Sequence, residues 1–207
     1  MDTALKEFGR IDVLVNNAGY ALRALEELSD TELRRQFDTN VFGALDVTRA
    51  ALPALRAQRS GCIVQMSSVG GVMATLGGTA YAGTKFALEG LSEGLATEVA
   101  HLGIHVLIVE PGPFRTDFTG RSVRWADPID DYRSALDPAK EQFLAMHGTQ
   151  PGDPTRSPRH HHRHPDGKAP LRLPLGANAV DRIRERLQLR LQEVDTTEPM
   201  GRPTDFD

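Results

Sequence analysis

Three short apolar segments, separated by long stretches of helical periodicity, constrain the fold of this chain more than any other feature. Each has the length of a β-strand and is rich in β-branched residues: Ile11–Val15, Cys62–Met66 and Ile104–Val109. Strands that alternate with long helices favour parallel pairing through right-handed crossovers. Near-continuous apolar strands are typical of a sheet covered on both faces. The sequence therefore predicts an α/β fold with a doubly wound parallel sheet.

Two long helices are predicted between these strands. The first begins with a capping box, in which the Ser29 hydroxyl accepts a hydrogen bond from a first-turn N–H and Glu32 reaches back. The second spans about 79–102 and stops at Gly103. Their apolar stripes are Leu33, Phe37, Val41 and Leu45 in the first helix, and Phe86, Leu88, Leu91, Leu95 and Val99 in the second.

The pattern loosens after Pro111. Residues 128–147 fit one or two helices, 148–170 form an irregular loop rich in Pro, Gly, Arg and His, and 171–175 are strand-like. A last helix is predicted over 178–194, because its apolar residues share one face. That stripe consists of Val180, Ile183, Leu187, Leu191 and Val194.

Composition excludes several classes of protein. A length of 207 residues suits one domain, and we treat 1–207 as a single domain. A net charge of −4 offers no basic surface for nucleic acid, and no apolar run is long enough to cross a membrane. Cys62, the single cysteine, is interpreted as a buried thiol rather than a nucleophile. With neither a signal peptide nor a lipidation site at the start, a cytoplasmic protein is expected.

Tyr81 and Lys85 stand four residues apart in the second helix and so share one face. A phenol has a pKa near ~10 and is a poor acid or base at neutral pH. A nearby ammonium favours the phenolate and lowers that pKa, so the pair can pass a proton to or from a substrate oxygen. Taken alone, the spacing also fits an ordinary surface pair.

All three predicted strands end in polar, Gly-rich turns. Ser67 and Ser68 follow the second strand, and EPGPFRT at 110–116 ends the third. The carboxyl ends of parallel strands lie at one edge of a sheet, which is where ligands bind. A Ser68 hydroxyl at that edge can hold a carbonyl oxygen while Tyr81 protonates it.

Together these features resemble the short-chain dehydrogenase/reductase family, in its compact single-domain branch. The resemblance covers Phe8 to about Phe118 and implies a Rossmann-type sheet. The motifs are NNAG at Asn16–Gly19, DTNVFG at Asp38–Gly43, SS at Ser67–Ser68, YAGTK at Tyr81–Lys85 and PG at Pro111–Gly112. Each motif alone is weak, whereas their combined order and spacing are specific.

The resemblance also implies roles for individual residues. Tyr81 would be the general acid/base, Lys85 would lower its pKa and hold the nicotinamide ribose, and Ser68 would orient the substrate oxygen. Asn40 would anchor a water in the proton relay. NAD or NADP would supply the hydride, and no metal is implied. Besides Tyr81 and Lys85, the implied cofactor-binding residues are Asn16, Ala18, Gly19, Pro111, Gly112 and Thr116.

One family feature is missing from the sequence. In the family a Gly-rich turn that receives the pyrophosphate precedes NNAG, but neither G-x-G-x-x-G nor T-G-x-x-x-G-x-G occurs here. Two βαβ steps are absent, on the order of sixty residues if each unit needs ~30. We therefore expect an N-terminally truncated member with weak cofactor binding and an unpaired apolar edge at Ile11–Val15. The residue that selects NAD or NADP is missing with that segment.

The run RHHHRH at Arg159–His164 is the other unusual feature. Clustered histidines suggest metal binding, but only Asp153 and Asp166 lie near, so no specific metal site is expected. A local frameshift within 148–170 is the alternative interpretation, because shifting one choice of codons by one base gives Ala-Ile-Ile-Thr-Ala-Ile.

The predicted function is NAD(P)-dependent oxidation of an alcohol or reduction of a ketone, with this chain alone expected to be inactive. The full-length form is expected to be a homo-oligomer. One alternative is a non-catalytic remnant or subunit-association module, since family members commonly dimerise through the two long helices. Another is an epimerase or dehydratase of the extended branch, against which the short chain and NNAG argue.

Overall fold

The computed structural model describes residues 1–22, 24–156 and 170–204, and it contains six strands and seven α-helices within those ranges. In chain order they are α1 (Asp2–Phe8), β1 (Val13–Asn16), β2 (Ala21–Leu22), α2 (Asp30–Phe37), α3 (Ala44–Gln58), β3 (Gly61–Met66), α4 (Thr79–Val99), β4 (Ile104–Pro111), α5 (Phe118–Arg121), β5 (Val123–Arg124), α6 (Asp130–Ala145), β6 (Arg172–Leu175) and α7 (Ala177–Gly201). Short 3-10 turns occupy Val69–Gly71, Ala100–Leu102, Pro154–Arg156 and Arg202–Thr204.

Four of the strands form one parallel sheet in the order β1-β3-β4-β6. Val13 pairs with Cys62, Cys62 with His105, and Ile108 with Arg172. The three predicted strands and the strand-like segment 171–175 are thereby confirmed. Because all four strands run in one direction, their carboxyl ends share one edge of the sheet.

The core lies mainly between this sheet and helices α3 and α4. Leu55 of α3 and Ile63 of β3 are fully buried and meet Ile104 and Val106 of β4. The other face carries Cys62, a buried thiol whose pKa is raised by burial. At β1, an edge strand within the described residues, side chains remain open: Val13 is 49% and Val15 53% exposed.

The first predicted helix is confirmed at its start but is not continuous. Ser29 Oγ accepts from the Glu32 N–H, and the Ser29 N–H donates to the Glu32 carboxylate, completing the capping box. A π-helical segment, Asp38–Gly43, separates α2 from α3. Such a segment adds a residue to the turn, and here it directs Asn40 into the interior.

The last helix is longer than predicted, and most of its apolar stripe is exposed. It ends at Gly201, and Leu187, Leu191 and Val194 are each more than half exposed. Only Ile183 of the predicted stripe is buried, with Val69 as a member of the same cluster. The stripe is exposed because the buried residues of α7, Ala179 and Ile183, lie in its first turns.

Within 1–22, 24–156 and 170–204, no helix has the length and apolar character needed to cross a bilayer. No three His, Cys, Asp or Glu side chains in those ranges are placed to hold a metal ion. The histidine run Arg159–His164 lies outside the described residues, so its interpretation as a loop or a frameshift stays a prediction.

Candidate active site

A cavity of about 930 Å³ opens at the carboxyl edge of the sheet. Its floor is formed by the turns that follow β1, β3 and β4, and its wall by α4 and segment 112–154. The predicted site residues among its lining are Gly19, Ser68, Tyr81, Lys85, Pro111, Gly112 and Thr116. The sheet topology thus brings together residues that lie almost a hundred positions apart in the sequence.

Lys85 is buried, and its position is fixed by the end of β3. Its Nζ donates to the Met66 carbonyl oxygen at 2.6 Å and lies 5.8 Å from the centre of the Tyr81 ring. Burial lowers the pKa of Lys85 to about 8, while the nearby Glu89 carboxylate opposes that change. The ammonium therefore lies beside the Tyr81 ring at the wall of the cavity.

Tyr81 is half-buried, and its ring packs against Phe118 with ring centres 5.8 Å apart. The turn after β3 lies against the same ring: a Cβ at Gly70 would stand 3.1 Å from Tyr81 Cε1. Ser68 Oγ accepts from the Gly70 N–H at 3.1 Å. Because a hydroxyl is also a donor, Ser68 can still donate to a ligand oxygen in the cavity.

Asn40 is buried and connects the NNAG turn to α4. Its Nδ2 donates to the Tyr20 carbonyl oxygen at 2.8 Å and to Thr84 Oγ1 at 3.0 Å, and its Oδ1 accepts from the Tyr20 N–H at 3.0 Å. The side chain is thus engaged in the interior and does not line the cavity. Gly19 lies directly beside it, since a Cβ there would stand 3.2 Å from Asn40 Oδ1 and 3.6 Å from Lys85 Nζ.

Asn16 also points inward rather than to the cavity. Its Nδ2 donates to the Ala44 carbonyl oxygen, to Thr48 Oγ1 at 2.8 Å and to Gln65 Oε1 at 3.0 Å, so it ties β1 to α3 and β3. Asn17 lines the cavity in its place. Ala18 is exposed and lies outside the lining.

Two carboxylates close to the site do not belong to the sequence motifs. Glu89 stands one helical turn after Lys85, and Glu110 lies at the end of β4; they are 5% and 1% exposed. The signals available in the sequence were an acid four residues after Lys85 and an acid closing an apolar strand. Both signals are weak until the fold brings β4 next to α4.

The site fits the nicotinamide–ribose half of NAD(P). Tyr81 and Lys85 offer polar groups at the cavity wall, and Gly19 leaves open the space that a Cβ would fill beside the ammonium. The pyrophosphate of a dinucleotide is usually bound by a turn that contains Gly-x-Gly. No two glycines in residues 1–207 are separated by exactly one residue, so that turn does not occur among them.

Three solved or curated proteins illustrate what the chain is similar to. A short-chain dehydrogenase from Streptomyces avermitilis is 43% identical and superimposes with a TM-score of 0.89, covering 99% of this chain and 75% of its own. ElxO, solved with NADP bound, is 25% identical with a TM-score of 0.66 over 87% of this chain and 71% of its own. Retinol dehydrogenase 8 of Bos taurus is 37% identical over 156 residues, which are 70% of this chain and 50% of that protein.

The likeness extends to a family model. The model for short chain dehydrogenase matches residues 1–127, which include the Tyr81–Lys85 pair and the turns around the cavity. The chain spans about half the length of several curated relatives that it matches. With its parallel Rossmann-type sheet and this site, the chain belongs to the short-chain dehydrogenase family.

Proposed function

We propose that this site serves the NAD(P)-dependent oxidation of an alcohol or reduction of a ketone. The observation that carries the proposal is the buried Lys85 ammonium, 5.8 Å from the Tyr81 ring centre on a cavity wall that also holds Ser68. NADP in the ElxO structure supports the cofactor class. The choice between NAD and NADP stays open.

In the reducing direction, Tyr81 Oη donates its proton to the substrate carbonyl oxygen, while Ser68 Oγ donates a hydrogen bond to the same oxygen. Lys85 stabilises the phenolate that remains, because its charge lies in a site from which burial excludes water. NAD(P), when bound, supplies the hydride in this direction and accepts it in the other. Met66 keeps the ammonium in place through its carbonyl oxygen.

The residues proposed to hold the cofactor fall into three groups. Lys85 and Tyr81 would bind the nicotinamide ribose, and Pro111, Gly112 and Thr116 would pack near the nicotinamide ring. The turn after β1 would lie along the cofactor through its backbone. The members of that turn are Asn16, Ala18 and Gly19, and Asn40 would anchor a water of the proton relay behind it.

We further propose that the substrate is a large apolar alcohol or ketone. The lining of the cavity beyond Tyr81 includes five aromatic and thioether side chains, which match apolar rings and chains better than polar ones. They are Met73, Phe114, Phe118, Phe143 and Met146. The name of retinol dehydrogenase 8 supports this class, since retinol is a large apolar alcohol.

Association through the outer faces of α3, α4 and the π-helical segment is proposed for the complete protein. Four large apolar side chains on these elements are exposed by 37% to 52%: Phe42, Val47, Phe86 and Leu91. A homo-oligomer would bury them. Analytical ultracentrifugation tests this, with Leu91→Glu expected to shift the protein to a smaller species.

A chimera tests the activity. A βαβ segment with the Gly-rich turn that the family resemblance implies is joined in front of Met1, and turnover is measured with NADH and NADPH on a series of ketones of increasing size. Reduction that improves with the apolar bulk of the ketone supports the proposal. A folded chimera that binds cofactor and reduces no ketone contradicts it.

A further inference from the structure

A buried acidic pair lies next to Lys85 and takes no part in the chemistry described above. Glu89 belongs to α4 and Glu110 to β4, and neither lines the cavity. Both are almost fully buried, which is costly for carboxylates unless they share a proton or are fully paired. Hydrogen bonds at the end of β3 connect Glu89 of this pair with Lys85.

Glu89 is connected to Lys85 through the end of β3. Its Oε1 accepts from Ser67 Oγ at 2.5 Å, and the preceding residue, Met66, accepts from Lys85 Nζ at 2.6 Å. Space for this contact depends on Gly71, where a Cβ would stand 2.0 Å from Glu89 Oε1. The Glu89 carboxyl therefore holds the end of β3 in place, and the end of β3 holds the Lys85 ammonium.

The ion-pair partner that the two carboxylates share is Arg172. Arg172 Nε lies 3.5 Å from Glu89 Oε2 and 3.6 Å from Glu110 Oε1, while its Nη2 makes the short contact of 2.5 Å to Glu93, which is exposed. Glu110 Oε1 has no hydrogen-bond partner among the described residues. The guanidinium of Arg172 is thus shared by three carboxylates, and its hydrogen bond goes to the exposed one, Glu93.

Burial and the sharing of one guanidinium favour a proton on one of the two inner carboxyls. The pKa of Glu110 is raised to about 7, first by burial and then by the Glu89 charge, with Arg172 opposing the change. Both carboxyls lie against the same Arg172 Nε, at 3.5 and 3.6 Å, so a proton on one of them removes the repulsion between two adjacent negative charges. The pair carries one negative charge at lower pH and two at higher pH.

We propose that Glu89 and Glu110 form a proton-sharing carboxyl pair that acts as a positioning device for Lys85, holding its ammonium in place and keeping it charged. This inference rests on the proposed role of Lys85 in the site. Glu89 acts through Ser67 and through its own negative charge; Glu110 acts by adding a second charge as the pair loses its proton. The charged groups facing the pair are Lys85 and Glu93 from α4 and Arg172 from β6.

Nuclear magnetic resonance of lysine labelled with ¹³C at Cε tests the inference without any turnover. The sequence contains only four lysines, and Lys85→Met identifies the signal of interest. Removing one charge several Å away in a site of effective dielectric ~20 should lower the pKa of Lys85 by about one unit. We expect that lowering in both Glu89→Gln and Glu110→Gln.

Glu93→Gln is the matched control, because it removes a carboxylate that contacts the same arginine but is exposed and touches neither Ser67 nor Glu110. It should leave the pKa of Lys85 unchanged. Equal pKa values of Lys85 in the parent, Glu89→Gln and Glu110→Gln would overturn the inference. Failure of the chimera to bind NAD(P) or to turn over ketones, with the shift in the pKa of Lys85 present, would contradict the proposed function alone.

Infrared spectroscopy of the unmodified chain keeps the inference testable where a variant fails to fold. A protonated buried carboxyl gives its own carbonyl band near neutral pH, expected here at pH 6 and lost as the pH rises through about 7. Absence of that band from the folded chain at pH 6 would show that no proton is shared, and the inference would be wrong.

Discussion

The Asn40 side chain spans the gap between the Tyr20 backbone and Thr84, and thereby fixes the turn after β1 against helix α4. Thr84 precedes Lys85 in the sequence, so this contact sets where the ammonium stands relative to Gly19. The π-helical segment makes the contact possible because it turns Asn40 inward. The contacts of the Asn40 side chain thus set the position of the turn relative to α4.

Tyr81→Phe in the glycine-rich chimera should reduce kcat by at least ~10²-fold and leave cofactor affinity within a few-fold. The ring and its packing on Phe118 are preserved, and only the hydroxyl that carries the proton is lost. Steady-state kinetics and a cofactor titration measure the two effects. Tyr132→Phe is the control, because Tyr132 is exposed and its hydroxyl donates to Glu26, away from the cavity. A Tyr81→Phe rate within a few-fold of the parent contradicts the assignment.

Asn16→Ala should destabilise the chain by about 2–3 kcal/mol, because it leaves buried partners without their hydrogen bonds. Those partners are Thr48 and Gln65, both nearly inaccessible to solvent. Urea unfolding followed by circular dichroism gives the free energy. Asn17→Ala, one position along and exposed, should cost less than ~0.5 kcal/mol. Equal costs for the two variants would argue against an interior role for Asn16.

Gly71→Ala should destabilise the chain by about 1–3 kcal/mol, since its Cβ would overlap Glu89 Oε1 and Ser67 Oγ, at 2.0 and 2.4 Å. Gly90→Ala makes the contrast. It lies within α4, its Cβ would meet nothing within 4 Å, and alanine is favoured over glycine in a helix by up to about 1 kcal/mol. In thermal unfolding, the Tm of Gly71→Ala should lie below that of the parent and the Tm of Gly90→Ala above it.

Stability should fall as the pH rises from about 5 to about 7.5. The pKa of Glu110 is raised in the folded chain, so between its unfolded value of 4.5 and about 7 the folded state binds more protons than the unfolded state. The stabilisation contributed by Glu110 is complete below pH 4.5 and is lost as the pH rises through about 7. For one group this loss amounts to no more than about 1.4 kcal/mol per pH unit. Glu110→Gln should flatten this part of the profile of urea midpoints. A urea midpoint of the parent that rises across the same pH range would contradict this prediction.

The strands and the pairing of Tyr81 with Lys85 on one helix face could be predicted because their signals are local. A run of β-branched residues marks β3 whatever its neighbours are, and Tyr81 and Lys85 share a helix face by spacing alone. The apolar stripe predicted for the second helix, α4, did not show which of its residues are buried. Phe86 and Leu91 are 37% and 45% exposed, although they match the same period as the buried Leu88.

The interior polar contacts could not be predicted, because each depends on elements that meet only in the folded chain. Asn16 lies 32 positions before Thr48, and Arg172 lies 79 positions after Glu93. A family motif names Asn16 as part of the cofactor turn, but nothing in the motif says that its side chain points inward. The exposed half of α7 was missed for a similar reason, since periodicity shows a stripe and not what covers it.

Residues 1–207 alone should bind NAD(H) and NADP(H) very weakly and show no measurable turnover. A dinucleotide is held largely through its pyrophosphate, on N–H groups of a Gly-rich turn and the following helix N-terminus. This sequence contains no such turn, and a ribose contact from Lys85 cannot by itself offset the freedom that the cofactor loses on binding. Calorimetric titration of the chain with each cofactor measures this directly. The chimera with the Gly-rich segment is the positive control and should bind in the micromolar range. Micromolar binding by residues 1–207 themselves would show that the pyrophosphate turn is dispensable or is replaced within an oligomer, and this prediction would be wrong.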